Sequence, residues 1–342
     1  MIALLLLICC VVPVHGEAFT APPVPESAEV LVPEQPETFS EGLETVLREA
    51  VDYLYPALRT AVGNCIGIIA VVVLCTLVEN LPGSTSKVTN IVTTVAVALL
   101  LIAPSRSLIR LGADTVREIS EYGRLLLPVM TASMAAQGGI STSAALYTGT
   151  AFFDALLSGI ISSVIVPMLY IFLCLSVASC ATGEEILEKF MGVIKWAMTW
   201  CLKIILYVFT GYLGITGVIS GTTDAAAMKA TKLTISGMVP VVGGILSDAS
   251  EAVLVSAGLV KSAIGVYGVV VIIAIWIRPF IQIGVQYLIL KLTAGICGIF
   301  GGKAPVKLIE SFSGTMGMLL GMTGSVSVLL MVSVVCLMRG VG

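Results

Sequence analysis

Long apolar runs divide the chain into segments of about the length that a membrane span requires. A transmembrane helix needs about 20 mostly apolar residues, and such runs with few charges are typical of membrane spans. We predict one span for each of seven runs: 61–78, 88–103, 154–181, 204–220, 262–277, 280–300 and 314–338. The pair Arg278–Pro279 resembles a stop at the membrane edge between the fifth and sixth runs. The predicted fold class is all-α, a polytopic membrane helix bundle.

Two further apolar stretches, 125–149 and 221–265, are interrupted by proline and glycine. Proline removes a backbone donor and glycine adds backbone freedom, so both favour a broken helix. The interrupting residues are Pro128 with Gly138–Gly139, and Pro240 with Gly243–Gly244. If both stretches re-enter the membrane, about seven spans remain, with the N-terminus outside and the C-terminus inside. If both cross it, the chain has nine.

The two interrupted stretches lie in similar surroundings. Each follows an amphipathic helix and precedes a long span, and Pro128–Val129 matches Pro240–Val241. Internal repeats with interrupted segments are typical of transporters and channels. The pattern is compatible with an internal repeat of 88–180 and 204–279, or with coincidence.

Three segments have the spacing of amphipathic helices. Residues 40–60 lead into the first span, and residues 183–203 precede another. Between them, charged residues recur every three or four positions and form one stripe: Arg106, Arg110, Asp114, Arg117, Glu121 and Arg124. We expect this third helix, 106–124, to lie along the membrane surface.

Composition excludes most soluble and catalytic classes. The chain of 342 residues is 57% hydrophobic and 11% charged, with a mean hydropathy of +1.06. Its single histidine, His15, lies near the start, so Ser-His or Cys-His catalysis and an HExxH zinc site are not expected. The nine cysteines form no CxxC pair and are typical of buried packing. We therefore predict no enzyme, no cofactor, no metal site and, without a concentrated basic face, no nucleic-acid partner.

The N-terminal region differs from the rest of the chain. Residues 1–16 have an apolar core too short to span and are typical of a secretory signal that is cleaved after Gly16. Residues 17–39 are rich in Pro and Glu, which predicts an extended or disordered linker. The exported amphipathic helix 40–60 follows, and residues 61–342 form the transmembrane domain. In the last span, small residues recur at helical spacing and predict close helix contacts: Gly314, Gly317, Gly321 and Gly324.

The interrupted stretch 221–265 is the strongest candidate for a functional site. A charge at bilayer depth costs roughly 2.5–3.5 kcal/mol on insertion scales, so charged residues there need partners or water. The polar and helix-breaking residues are Asp224, Lys229, Lys232, Pro240, Asp248, Glu251 and Lys261, with Arg278 following at the end of the next span. They line a polar pathway, or they only hold helices together.

The order and spacing of these residues resemble the stage III sporulation protein AE family. The motif runs Thr223–Asp224, Lys229, Lys232, Pro240–Val241, Gly243, Asp248, Glu251, Ser256, Lys261 and Gly265. The resemblance implies a membrane component of the channel complex that connects mother cell and forespore during sporulation. It also implies a place in the mother-cell membrane around the forespore. The implied partners are other stage III sporulation proteins, including a cytoplasmic ATPase and ring-forming proteins, and stage II sporulation protein Q.

Two other functions are compatible with the same residues. A secondary transporter would use Asp248, Glu251 and Lys261 as an ion or proton relay within its own bundle. A passive membrane scaffold would use the polar residues only to join helices.

Overall fold

The computed structural model describes residues 22–29, 31, 39–79, 86–136, 140–215, 263–300 and 302–339. Within these ranges all regular structure is helical. The helices in chain order are α1 (Glu26–Glu29), α2 (Phe39–Glu79), α3 (Ser86–Ala136), α4 (Ile140–Ile160), α5 (Val166–Thr182), α6 (Glu185–Ile215), α7 (Ala263–Phe300) and α8 (Lys303–Arg339). A π-helical turn, Ile161–Ile165, joins α4 to α5 just before Pro167.

Six stretches of the described chain are long and apolar enough to cross a membrane. They are Gly42–Glu79, Val88–Ala132, Ser143–Thr182, Glu185–Gly214, Ile264–Phe300 and Lys303–Met338. The prediction of an all-helical polytopic membrane bundle is confirmed.

Helix α8 lies at the centre of the bundle. Of its most apolar stretch 83% is buried, compared with 17% for α6 at the periphery. Its main neighbours are α7 and α3, and it also contacts α4, α5 and α6. The buried hydroxyls of Thr323, Ser327 and Ser333 donate to carbonyls of their own helix, so these polar side chains need no partner elsewhere.

Contacts along the helices set their directions. The Tyr53 hydroxyl of α2 donates to Gln282 of α7 at 3.3 Å. Further along both helices Cys65 lies beside Thr293. From the first contact to the second, the residue numbers increase along both helices, so α2 and α7 run parallel.

The start of α7 lies against the end of α8, where Gly265 meets Met338. Helix α2 therefore begins at the same end of the bundle at which α8 ends, and we call this the upper end. The predicted placement of the N-terminus outside and the C-terminus inside differs from this arrangement, whereas the six described stretches agree with the predicted count of about seven spans.

The two predicted spans on either side of Arg278–Pro279 form one helix. These residues lie inside α7, so the predicted spans 262–277 and 280–300 belong to one helix of 38 residues. An interior proline removes one backbone hydrogen bond, but neighbouring helices and local adjustments re-satisfy the freed group in membrane bundles. Arg278–Pro279 is therefore not a stop at the membrane edge.

Helix α3 also continues through its prolines. Pro104 and Pro128 both lie inside its 51 residues. The prediction that Pro128 breaks the helix is therefore wrong. The other predicted interruption, Gly138–Gly139, falls between α3 and α4 and lies outside the described residues. The second copy of the proposed internal repeat includes residues 216–262, also outside them, so the repeat stays a prediction.

Each predicted amphipathic helix is one half of a longer helix. Residues 40–60, 106–124 and 183–203 are continuous with the apolar halves of α2, α3 and α6. At about 1.5 Å per residue, α3 is about 77 Å long, more than twice the roughly 30 Å of bilayer hydrocarbon. The expectation that 106–124 lies separately along the membrane surface is therefore wrong.

Candidate functional site

Most of the predicted site residues fall outside the part of the chain that the structure describes. Asp224, Lys229, Lys232, Pro240, Asp248, Glu251 and Lys261 all belong to residues 216–262. The flanking helices do fix where that stretch is attached. The Tyr212 hydroxyl near the end of α6 donates to Ala145 near the start of α4, close to the upper end. Helix α7 begins at the same end.

Arg278 is the one predicted site residue within the described ranges, and it lies between three helices. Its Nη1 donates to the Ser27 carbonyl of α1 at 3.5 Å. Its guanidinium carbon lies 5.8 Å from the centre of the Tyr53 ring of α2, a cation–π distance. Its Nε is buried and has no hydrogen-bond acceptor among the described residues. Arg278 therefore joins α1 and α2 to α7.

The N-terminal stretch contributes directly to this junction. Residues 17–39 were predicted to be extended or disordered, but Glu26–Glu29 form one helical turn. Ala28 and Leu31 are 0% and 1% exposed, so the stretch inserts apolar side chains into the bundle. The Ser27 hydroxyl also donates to the Glu118 carboxylate of α3. Apolar burial and polar contacts together hold the turn in place.

We expect Arg278→Ala to loosen this N-terminal turn. The Ser27 carbonyl loses its donor and the Tyr53 ring loses its cation. Backbone amide exchange at Ala28 and Leu31, whose N–H groups are bonded within the turn, should accelerate. Arg48→Ala is the matched control, because Arg48 is exposed and its one ion pair among the described residues is with Glu44 on its own helix, at 2.7 Å. Equal exchange in both variants would contradict the role of Arg278.

A second buried polar contact joins α3 to α4. Asp154 is 3% exposed and accepts a hydrogen bond from Ser120 of α3 at 3.2 Å. Arg124, one turn further along α3, lies close enough to attract the same carboxylate. Thr150, one turn before Asp154, has a buried hydroxyl with no hydrogen-bond partner among the described residues. This contact was missed from the sequence, although Asp154 is the one charged residue between Arg124 and Glu184.

The charged stripe of α3 is fully at the surface. Arg106, Arg110, Asp114, Arg117, Glu121 and Arg124 are all exposed. The Arg117 Nε donates to Glu121 at 2.8 Å along the same helix. The opposite face is buried against α8, and Gly112 and Gly123 allow the close approach, since a Cβ there would lie about 3 Å from Met322 and Leu330. The predicted apolar face of 106–124 thus meets protein rather than lipid.

Within the described residues no group of three or more His, Cys, Asp or Glu side chains is placed to hold a metal ion. The seven described cysteines form no disulfide among themselves. The candidate site in the described residues therefore consists of the polar helix contacts at Arg278 and Asp154 and the charged stripe of α3.

Comparisons with known proteins agree with the sequence pattern. A model of the stage III sporulation protein AE family matches residues 32–340. Stage III sporulation protein AE of Bacillus subtilis (strain 168) is 23% identical over 274 residues, which are 78% of this chain and 68% of that protein. No solved structure matches the chain. Because the family match extends over nearly the whole chain, the protein belongs to the stage III sporulation protein AE family.

Proposed function

We propose that this chain is a membrane core component of the channel complex that connects mother cell and forespore. Family membership implies a role in sporulation, and the six long apolar helices indicate a membrane protein. The proposal adds a place in the mother-cell membrane around the forespore. It also adds partners among the other stage III sporulation proteins, including a cytoplasmic ATPase and ring-forming proteins, and stage II sporulation protein Q.

One observation favours a part of an assembly over a transporter that works alone. A secondary transporter keeps its charged residues inside its own bundle, around a site near the membrane midplane. In this chain the charged stripe of α3 lies on the outside of the bundle, while the buried side chains of the central helix α8 are apolar or hydroxyl-bearing. An exposed charged face on a membrane bundle needs water or another protein beside it.

The transporter and scaffold alternatives remain testable. A transporter relay would use Asp248, Glu251 and Lys261, which lie outside the described residues. A scaffold would use the polar contacts at Arg278 and Asp154 only to fix helix positions.

Reconstitution in liposomes separates these functions. We expect the purified chain alone to give no flux of ions or small metabolites, because an assembly component lacks a complete path. Conductance should appear when the partner proteins are reconstituted with it. Flux is measured with and without a proton gradient, and Glu251→Gln serves as the relay variant.

Each alternative has its own result. Saturable, gradient-driven uptake by the chain alone that Glu251→Gln abolishes would overturn the proposal and establish a transporter. A complex that assembles with all partners but never conducts would establish a scaffold.

A further inference from the structure

We propose that the charged stripe of α3, from Arg106 to Arg124, faces a water-filled space at membrane depth and lines the path for hydrophilic solutes. This inference rests on the proposed function, since other subunits of the assembly must separate that space from lipid. It follows from the positions of the charged and apolar surfaces along the axis of the bundle.

Direct contacts fix the heights of the helices relative to one another. Ser120 of α3 bonds to Asp154 of α4, so these two residues lie at one level. The ring of Phe153, next in the chain, lies 5.5 Å from that of Phe209 in α6. The charged stripe of α3 is therefore level with the middle of the α4–α5 helix and with the second half of α6.

At this level the exposed side of the α4–α5 helix is suited to lipid. Asp154 is the one Asp, Glu, Lys or Arg in residues 140–182, and it is buried. The large exposed side chains here are apolar: Phe152, Leu156 and Val164. The neighbouring α6 adds exposed Trp200, Ile204 and Val208, together with a half-buried Lys203 and, near the lower edge of this level, an exposed Lys195. The continuous helical stretch Ser143–Thr182 is also long and apolar enough to cross the membrane. This side indicates that the level lies within the hydrocarbon region.

The α3 side is charged at the same level. Its six exposed charged residues extend over about five helical turns of one face, opposite the face that packs on α8. The adjacent first half of α2 adds five exposed charged residues: Glu44, Arg48, Glu49, Asp52 and Arg59. A bilayer does not solvate such a face, because intramembrane charges occur where they meet protein or water. One bundle thus has a lipid-compatible side and a water-requiring side at one height.

The charges of both signs indicate a hydrated wall. The stripe has four arginines and two acidic residues, a net charge of +2 from Arg106, Arg110, Arg117 and Arg124 against Asp114 and Glu121. The Arg117–Glu121 pair is internally neutralised. The exposed charged residues of the first half of α2 contribute −1, so the combined face has a net charge of +1. Such a nearly neutral face is suited to hydrophilic solutes and does not select strongly for one sign of charge.

Thiol labelling tests the proposal in membranes from sporulating cells that contain the assembled complex. Arg117→Cys places a thiol on the charged stripe, and Phe152→Cys places one at the same level on the apolar side. Charged, water-soluble methanethiosulfonate reagents are added to both membrane faces. The unchanged chain gives the background from native cysteines, and labelling after denaturation confirms that both new thiols are present.

We expect Arg117→Cys to react at least roughly tenfold faster than Phe152→Cys, because a thiolate forms in water and not in hydrocarbon. Equal, fast labelling of both thiols would place this level outside the membrane and overturn the proposal. Slow labelling of both would show that lipid or protein covers the stripe and would also overturn it.

These results are separable from the proposed function. If the labelling contradicts the proposal while conductance still appears with the partners, the chain is a channel component whose path lies elsewhere. If the labelling agrees while no conductance appears, the face is hydrated but the channel function fails.

Discussion

Replacing Gly149 with alanine should destabilise the bundle by about 1–3 kcal/mol, the usual cost of inserting a methyl group into a packed site. A Cβ at this position would lie 2.1 Å from the Tyr212 ring. The ring is held in place, because its hydroxyl donates to the Ala145 carbonyl at 2.6 Å. To admit the methyl group, either that hydrogen bond breaks or α6 moves away from α4. The shift is measured as the midpoint of thermal unfolding in detergent.

Gly159→Ala on the same helix is the matched control. No described atom outside its own helix lies within 4 Å of a Cβ at Gly159. Both substitutions raise intrinsic helix propensity by the same amount, about 1 kcal/mol. Gly159→Ala should therefore be neutral or stabilising. Similar effects of the two substitutions would contradict the close contact between α4 and α6.

Ser120→Ala should destabilise the protein by about 1–3 kcal/mol, because it leaves the buried Asp154 carboxyl without its hydrogen-bond donor. The two residues belong to α3 and α4, so the loss affects a contact between helices. Nearby Arg124 offers only partial compensation because it lies at the surface. The measurement is again unfolding in detergent, with the amount of protein in membranes as a second readout.

Ser176→Ala controls for the removal of a buried hydroxyl. Ser176 is 0% exposed and donates to the Phe172 carbonyl of its own helix at 2.8 Å. That carbonyl keeps its backbone partner when the hydroxyl is removed, so the loss should stay below about 1 kcal/mol. If Ser176→Ala destabilises the protein as much as Ser120→Ala, the Ser120–Asp154 hydrogen bond does not contribute more to stability than a hydroxyl bonded within its own helix.

The candidate site was predicted only in part. The motif in residues 221–265 identified the family, but its charged residues lie outside the described ranges. Arg278 was singled out as a polar residue beside a predicted membrane edge, whereas it lies inside α7. Its neighbours Ser27 and Tyr53 were not predictable, because they are more than 200 positions away and no local pattern links them to α7. Asp154 could have been noticed in the sequence, because it is the one charged residue between Arg124 and Glu184. The sequence does not show that Ser120 is its partner.

The sequence by itself determined the helical membrane class, the polar and apolar faces of the helices and the charged stripe of α3. These properties depend on composition and on the 3.6-residue period, which are local. Only the tertiary structure decided what covers each face. The apolar face of residues 106–124 is equally suited to contact with lipid or with protein. In the structure it packs on α8, and Gly112 and Gly123 allow the close approach. The prolines at 128 and 279 each remove one hydrogen bond, and whether a helix continues past them depends on packing from neighbouring helices, which a local pattern does not contain.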